Sequence, residues 1–234
     1  VGVIAIDPTS PVTGGSFLGD RERMKDVDGD ERLFIRSMAT RGHTGGMAAA
    51  TSSFIRIMET MGKDFIILET IGVGQDQISV SHIADTVVMV MIPGMGDYIQ
   101  ALKAGVQEVG DIFVVNKADR PGADEAMNNL KMVIGMGVRE DAWKPPIMKT
   151  TAIKNEGIDA LVEKIELHRK HIVESGSLLT KRETATKLEI VEALRARFFN
   201  YIDEKTNFEG KLGLYAKAIL EGKTDRYTIV EKVF

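Results

Sequence analysis

The stretch VVNKADRPG, residues 114–122, decides the fold prediction, because it joins a buried strand to a polar turn. The run IFVV before Asn116 is wholly apolar, which is typical of a strand covered on both faces. A lysine and an aspartate follow at once, before a Pro-Gly pair that favours a turn. The pattern therefore predicts a strand that ends at a loop of polar side chains.

Similar apolar runs recur through the first two thirds of the chain and alternate with helical patterns. The predicted strands cover residues 1–6, 65–69, 86–92, 112–116 and 147–151. The predicted helices cover residues 47–61, 97–109, 123–136 and 158–174. Strands and helices that alternate in this way predict a doubly wound α/β fold with a mostly parallel sheet.

The last part of the chain has a different pattern. From residue 178 onward the strand signal stops, and Ile190, Leu194, Phe198 and Ile202 fall on one face of a helix over residues 187–205. Two shorter helices are predicted over residues 211–220 and 227–234. We therefore divide the chain into a domain of residues 1–177 and an α-helical extension of residues 178–234. The extension either packs against its own domain or forms an arm that embraces a second subunit.

Charge, cysteine content and hydropathy argue against several classes of protein. The net charge of −4 gives no general attraction to nucleic acid or to an anionic membrane, so neither is an expected partner. The chain has no cysteine, which excludes disulfides and thiolate metal sites. No apolar run approaches the roughly 18 residues of a membrane span, and no signal peptide is recognisable. We expect a cytoplasmic protein.

Unusual residues fall at the predicted strand ends, where ligands collect in open α/β sheets. They are Asp7, Glu69, Gly94, Gly96, Asp97, Asn116, Lys117, Asp119, Thr151 and Ala152. These residues follow all five predicted strands. Because the carboxyl ends of parallel strands share one edge of a sheet, their positions predict a binding site at that edge.

Asp119 suits the recognition of guanine. Its carboxylate can accept hydrogen bonds from both the ring N–H and the exocyclic amine of guanine, whereas adenine would leave the carboxylate unpaired. The alternative is a solvated lysine followed by an aspartate that only forms a turn.

Other polar residues have two interpretations each. Asp7 and Glu69 suit the binding of Mg²⁺ or the orientation of a water, although helix capping and turn formation also use such residues. In GDRERM, residues 19–24, an arginine could reach a terminal phosphate, or the run could be a solvated surface. The stretch RGHTGG, residues 41–46, could hold an anion or serve as a hinge.

Six motifs together resemble one family. They are IAIDPTSP, TGGSFLGDRERM, IRSMATRGHTGG, ETIGVGQ, DTVVMVMIPGMGDYIQALKAG and DIFVVNKADRPGAD. In this order they resemble the P-loop GTPases that include the methylmalonyl-CoA mutase accessory protein MeaB and the proteins named ArgK or LAO/AO transport-system kinase. The resemblance covers essentially the whole chain. It implies a GTPase that binds GTP or GDP with Mg²⁺, forms a homodimer, and gates cofactor delivery to an adenosylcobalamin-dependent acyl-CoA mutase that it also protects.

The resemblance also implies residue roles. Asp7, Asp20 and Glu69 match acidic positions near Mg²⁺, and Glu69, Asp20 and Arg23 match positions that assist the phosphate chemistry. Residues 72–75 match a switch, and residues 94–103, with Asp97, Gln100 and Lys103, match a further switch that communicates with the mutase. The nucleotide-binding positions are Gly72, Asn116, Lys117, Asp119, Thr151 and Ala152.

One family motif does not occur among the 234 residues: the phosphate-binding loop G-x-x-x-x-G-K-[ST]. In the family it precedes the strand that here begins at Val1. We therefore expect an N-terminally incomplete GTPase that lacks this loop and the first strand, with low stability and weak phosphate binding when isolated.

Three alternatives follow from this gap and from the family names. The first is a non-catalytic module that binds the mutase and dimerises. A metal-insertion GTPase is disfavoured, because the chain has no cysteine and four scattered histidines. An amino-acid transport kinase is disfavoured, because no membrane element is visible.

Overall fold

The computed structural model describes residues 1–7, 24, 30, 32–39, 44–70, 83–94, 110–135 and 143–233. The strands are β1 (Gly2–Asp7), β2 (Phe34–Ala39), β3 (Ile66–Thr70), β4 (Val88–Met91), β5 (Ile112–Val115) and β6 (Ile147–Lys149). The helices are α1 (Thr44–Thr60), α2 (Ala123–Gly135), α3 (Ile158–Glu174), α4 (Ser177–Thr206), α5 (Phe208–Leu220) and α6 (Arg226–Val233), with a 3₁₀ helix at Ala152–Lys154.

The described strands form two parallel three-stranded sheets, ordered β2-β1-β3 and β4-β5-β6. β1 and β5 are the middle strands, and residues 2–6 of β1 and all of β5 are apolar and almost completely buried, as their sequences predict. Within the part of the chain that the structure describes, β3 and β4 each pair with one strand only. The parallel α/β fold and the helical C-terminal part confirm the predicted fold class.

In the described part of the chain, each sheet has an apolar core that it shares with a helix. Ile4 and Ile6 of β1 enclose Met58 of α1, and this side chain is fully buried. In the second sheet, Phe113 of β5 packs with Leu130 of α2. Gly110 precedes β5 at a point where a Cβ atom would lie 2.5 Å from the Phe113 ring, so a larger residue would displace this core.

Strand β2 was not predicted from the sequence. In its sequence, FIRSMA, the polar residues Arg36 and Ser37 interrupt the apolar ones, so β2 lacks the continuous apolar run of the middle strands. Among the described strands it lies at the edge of its sheet. Helix α4 begins at Ser177, ten residues before the predicted start. The helix predicted over residues 97–109 lies outside the described residues.

Helix α4 contacts both halves of the described structure through its N-terminal half. Arg56 of α1 donates to Glu189 at 2.8 Å, which ties α4 to the first sheet's helix. Arg182 donates two hydrogen bonds, of 3.0 and 2.6 Å, to Asp85, which lies before β4. The described helices include none that is both long and apolar enough to cross a membrane.

A polar junction forms around Asp111, which precedes β5. Its carboxylate accepts a hydrogen bond from the Val87 N–H at 2.8 Å and from the Lys181 ammonium at 3.3 Å. Its main-chain oxygen accepts one from the indole N–H of Trp143 at 2.7 Å. We call Asp111, Lys181, Trp143 and His168 the α4 junction, because they hold α4 against the second sheet.

His168 of α3 is almost completely buried in the α4 junction. Its Nε2 lies 3.4 Å from Asp111 Oδ1, and its Nδ1 lies 2.8 Å from the Thr86 hydroxyl. Because a carboxylate can only accept, the proton belongs on Nε2, and Nδ1 then accepts from Thr86. Burial lowers the pKa of His168, Asp111 opposes this, and Lys181 and His171 add to the lowering.

We expect the protein to lose stability as the pH falls below about 6.5. The pKa of His168 is lower in the folded state than in the unfolded state, so the unfolded chain binds the extra proton first. The contribution of neutral His168 is therefore complete above the unfolded pKa and is lost at lower pH. Urea unfolding at pH 7.5 and 5.5 measures this difference.

The variant His168→Gln should show a smaller loss of stability between the two pH values, because the group that titrates is gone. His171→Gln is the comparison variant, since His171 contacts the same Trp143 ring. It should reduce the pH dependence less than His168→Gln does, because it removes only one of the causes that lower the pKa of His168. An unchanged pH dependence in His168→Gln would show that another group is responsible.

Candidate functional site

The carboxyl end of β5 presents the predicted polar loop. All four residues of β5 are buried, so the chain leaves the core at Asn116. Lys117 has a φ of 55°, a left-handed conformation that is uncommon outside glycine. The Arg120 N–H then bonds the Lys117 carbonyl at 3.0 Å and closes a tight turn. The turn brings Asp119 back beside the strand end.

Asn116 joins this loop to the one that follows β6. Its Oδ1 accepts hydrogen bonds from the Thr150 hydroxyl and from the Ala152 N–H, both at 3.1 Å. The Ala118 N–H bonds the Thr150 carbonyl at 3.0 Å, which adds a main-chain tie. Asn116 therefore positions both loops, and the predicted residues Asn116 to Asp119 and Thr151 to Ala152 come together.

The loop after β6 is held in one shape by its own hydrogen bonds. Thr151 and Glu156 exchange two main-chain bonds, of 3.0 and 3.3 Å, around the short 3₁₀ helix. Gly157 has a φ of 78°, and a Cβ atom there would lie 2.5 Å from the Lys149 carbonyl oxygen. The loop keeps Thr151 buried and leaves the Ile153 side chain 90% exposed.

Asp119 has a partner that the sequence analysis did not identify. The Lys154 ammonium lies 3.3 Å from Asp119 Oδ2, and the two side chains are 51% and 34% exposed. The sequence contains only a weak indication of this pair: Lys154 lies close to the predicted site residues Thr151 and Ala152. The carboxylate thus faces solvent on one side and a cation on the other.

A second ion pair of the same kind lies nearby. Lys149, at the end of β6, bonds Asp124 in the first turn of α2. This contact lowers the pKa of the fully exposed Asp124 carboxyl. It ties the end of β6 to α2 and provides a natural comparison for the pair of Asp119 and Lys154.

The other predicted acids lie in the first sheet. Asp7 is the last residue of β1, and the half-buried Glu69 is the penultimate residue of β3. Ile6 pairs with Thr70, so the two acidic positions lie at the carboxyl ends of adjacent parallel strands. Carboxylates in such places are suitable ligands for Mg²⁺.

Several predicted site residues lie outside the described residues. They are Asp20, Arg23, Gly72, Gly96, Asp97, Gln100 and Lys103. Among the residues that the structure does describe, no group of three or more His, Cys, Asp or Glu could hold a metal ion.

Comparison with a solved structure defines the class of fold. The chain superposes on the "Crystal structure of LAO/AO transport system kinase" with a TM-score of 0.67 over 99% of this chain and 70% of that chain. The sequence identity is 22%, so this likeness concerns the fold alone. The chain therefore has the fold of that protein.

Sequence comparison then identifies the family. The profile described as methylmalonyl Co-A mutase-associated GTPase MeaB matches residues 1–207. The chain belongs to this family, which confirms the resemblance found in the motifs.

Three relatives illustrate the range of similarity. The Pyrococcus horikoshii protein PH0274 is 49% identical over 81% of this chain and 61% of its own length. GTPase ArgK of Escherichia coli is 32% identical over 89% of the chain and 64% of its own length. The mitochondrial methylmalonic aciduria type A homolog of Mus musculus is 30% identical over 94% and 54%. The chain therefore spans less than two thirds of the length of these relatives.

Proposed function

We propose that the complete protein binds GTP and GDP with Mg²⁺ and hydrolyses GTP. The observation that carries this proposal is the joined pair of loops at the ends of β5 and β6. Asn116 fixes both loops, and Asp119 presents a half-exposed carboxylate beside them. A planar base with two adjacent N–H donors fits this carboxylate, and guanine is such a base.

The residue roles in this proposal follow the sequence predictions. Asp119 reads the base, while Lys117, Thr151 and Ala152 form the surrounding loops and Asn116 positions them. Gly72 lies on the nucleotide side. Asp7, Asp20 and Glu69 hold Mg²⁺, and Glu69, Asp20 and Arg23 assist hydrolysis by orienting water and stabilising phosphate charge. Mg²⁺, when bound, neutralises charge on the phosphates.

Hydrolysis is proposed for the complete protein rather than for these 234 residues. No G-x-x-x-x-G-K-[ST] motif occurs in them, and that motif supplies the main-chain N–H groups and the lysine that hold the phosphates. The described residues contribute the base-reading loops and the strand ends with Asp7 and Glu69.

We further propose that the protein is a chaperone for an adenosylcobalamin-dependent acyl-CoA mutase of the methylmalonyl-CoA mutase type. Membership of a family described as mutase-associated supports this. In this proposal the nucleotide state gates the delivery of the cofactor and protects the mutase, in the cytoplasm.

The experiment adds purified methylmalonyl-CoA mutase to the full-length protein and measures GTP hydrolysis and cofactor transfer. We expect GTP hydrolysis without ATP hydrolysis, and a change in its rate when the mutase is present. Mutase binding without any hydrolysis would favour the second candidate, a non-catalytic module that binds the mutase. The absence of the phosphate-binding motif from these residues is what favours that candidate.

The helical extension of residues 178–234 is proposed to form a dimer with a second copy. Helix α4 has 30 residues, and none of them is buried. Its exposed apolar residues include Leu188, Ile190, Val191, Leu194, Phe198, Phe199 and Tyr201, and α5 adds Leu212 and Leu214. An apolar surface of this extent is typical of an interface, and a self-complementary contact between two copies is the commonest solution.

The double variant Leu194→Glu with Phe198→Glu should convert the dimer into a monomer, because two carboxylates would lose their water in the interface. Sedimentation velocity measures the change. Val162→Glu is the matched control, since Val162 is an equally exposed residue of α3. A double variant that remains dimeric would place the interface elsewhere.

A further inference from the structure

The contact between Lys154 and Asp119 has a consequence for how strictly the base is read. Lys154 ends the 3₁₀ helix Ala152–Lys154, whose first N–H is bound to Asn116. Its ammonium therefore lies 3.3 Å from Asp119 Oδ2, on a loop that the hydrogen bond to Asn116 holds in place. The carboxylate that would bind the base already has a cation beside it.

Guanine differs from hypoxanthine by its exocyclic amine. Guanine offers a ring N–H and a neighbouring amine to the two carboxylate oxygens, while hypoxanthine offers the ring N–H only. When an analogue lacks a hydrogen-bonding group and leaves a buried polar group of the site unpaired, the site can discriminate against it by as much as about 10⁴-fold. The discrimination depends on the oxygen being left without a donor.

We propose that Lys154 is a specificity-determining residue that relaxes the discrimination between guanine and hypoxanthine nucleotides. This inference rests on the proposed function of the base-reading loops. When the amine is missing, the Lys154 ammonium supplies the donor that the carboxylate oxygen lacks, so the inosine nucleotide loses less affinity than it would against Asp119 alone.

The chemistry of lysine suits this role. An ammonium has three N–H donors on a flexible side chain. It can therefore donate to the Asp119 oxygen that hypoxanthine leaves without a hydrogen bond and still contact the other Asp119 oxygen. A carboxylate has about four lone-pair positions, so the lysine and guanine can bind it together. Half-exposed ion pairs contribute at most about 1 kcal/mol, which corresponds to a change of up to about fivefold in affinity.

The quantity to measure is the ratio of two dissociation constants, that for IDP divided by that for GDP. Both nucleotides carry the same phosphates, so long-range effects of the lysine charge on the phosphates cancel in the ratio. Isothermal titration of the full-length protein with each nucleotide gives the two constants. We expect Lys154→Met to raise the ratio by about two- to fivefold.

Two further variants define the control. Lys154→Arg keeps a cation beside Asp119 and should keep the ratio close to that of the wild type. Lys149→Met removes the neighbouring lysine, which is paired with Asp124 instead, and should leave the ratio unchanged. Higher salt should raise the ratio of the wild type, because it weakens the ion pair, and should leave that of Lys154→Met constant.

The outcomes separate this inference from the proposed function. A wild-type protein that binds neither GDP nor GTP overturns the proposed function itself. GDP binding with an unchanged or lower ratio in Lys154→Met overturns the role of Lys154 and leaves the proposed function standing. A loss of GDP binding in Lys154→Met alone would also overturn it, because the lysine would then be required for binding rather than for discrimination.

Discussion

Replacing Asp119 by Asn is expected to weaken GDP binding by about 100-fold or more. The carboxylate would accept two hydrogen bonds from guanine, and hydrogen bonds to a charged group each contribute about 1.5–3 kcal/mol. The asparagine amide offers one acceptor and one donor, so its N–H₂ would face the guanine amine with no acceptor between them. Isothermal titration with GDP measures the loss.

The same substitution should create affinity for XDP. Xanthine has a carbonyl where guanine has its amine, and the new amide can donate to that carbonyl while its oxygen accepts from the ring N–H. Asp124→Asn is the matched control, because Asp124 is also paired with a lysine but lies on α2. GDP binding that is unchanged in Asp119→Asn would show that Asp119 does not contact the base.

The loop after β5 could be predicted from the sequence because its information is local. The apolar run of β5 fixes a buried strand, and the polar residues that follow it must lie at the sheet edge. The structure confirms that strand and brings Asn116 together with Thr150 and Ala152. Here local sequence and tertiary structure agree.

The partner of Asp119 could not be predicted in this way. Lys154 is 35 residues away, in a loop that closes through the left-handed residues Asn155 and Gly157. A lysine in a polar loop is usually solvated, so nothing in the local sequence distinguishes it. The contact depends on loop geometry.

The early start of α4 has a similar explanation. Residues 177–186 contain Thr180, Thr184 and Thr186, which have low helix propensity, and a charged run that resembles a solvated surface. The helix nevertheless forms there, because Lys181 and Arg182 bind the acidic residues Asp111 and Asp85. Tertiary contacts outweigh the local preference, so the sequence pattern placed the helix start too late.

The α4 junction leads to the second prediction: Asp111→Ala should lower the free energy of unfolding by about 2–4 kcal/mol. The substitution removes the acceptor for the Val87 N–H and leaves the Lys181 ammonium and the His168 N–H without their carboxylate. Each polar group left without a partner in a partly buried place costs about 1–3 kcal/mol. Urea unfolding measures the change.

Trp143 allows the junction itself to be observed. It is the single tryptophan of the chain, and its ring lies against His168, with the ring centres 4.8 Å apart. The Trp143 indole bonds the main-chain oxygen of Asp111, which the substitution keeps, so the variant can fold with a loosened junction. We expect the fluorescence of Trp143 in the folded variant to shift to longer wavelength, because water enters beside the ring.

Asp124→Ala is the control for the loss of stability, because Asp124 is fully exposed and its pair with Lys149 should contribute little. If Asp111→Ala were as stable as Asp124→Ala, the junction would not hold α4 in place. In that case α4 would depend on its contact with α1, where Arg56 bonds Glu189, and Arg56→Ala would be the destabilising change. The two variants together therefore decide which half of the described structure anchors the helical extension.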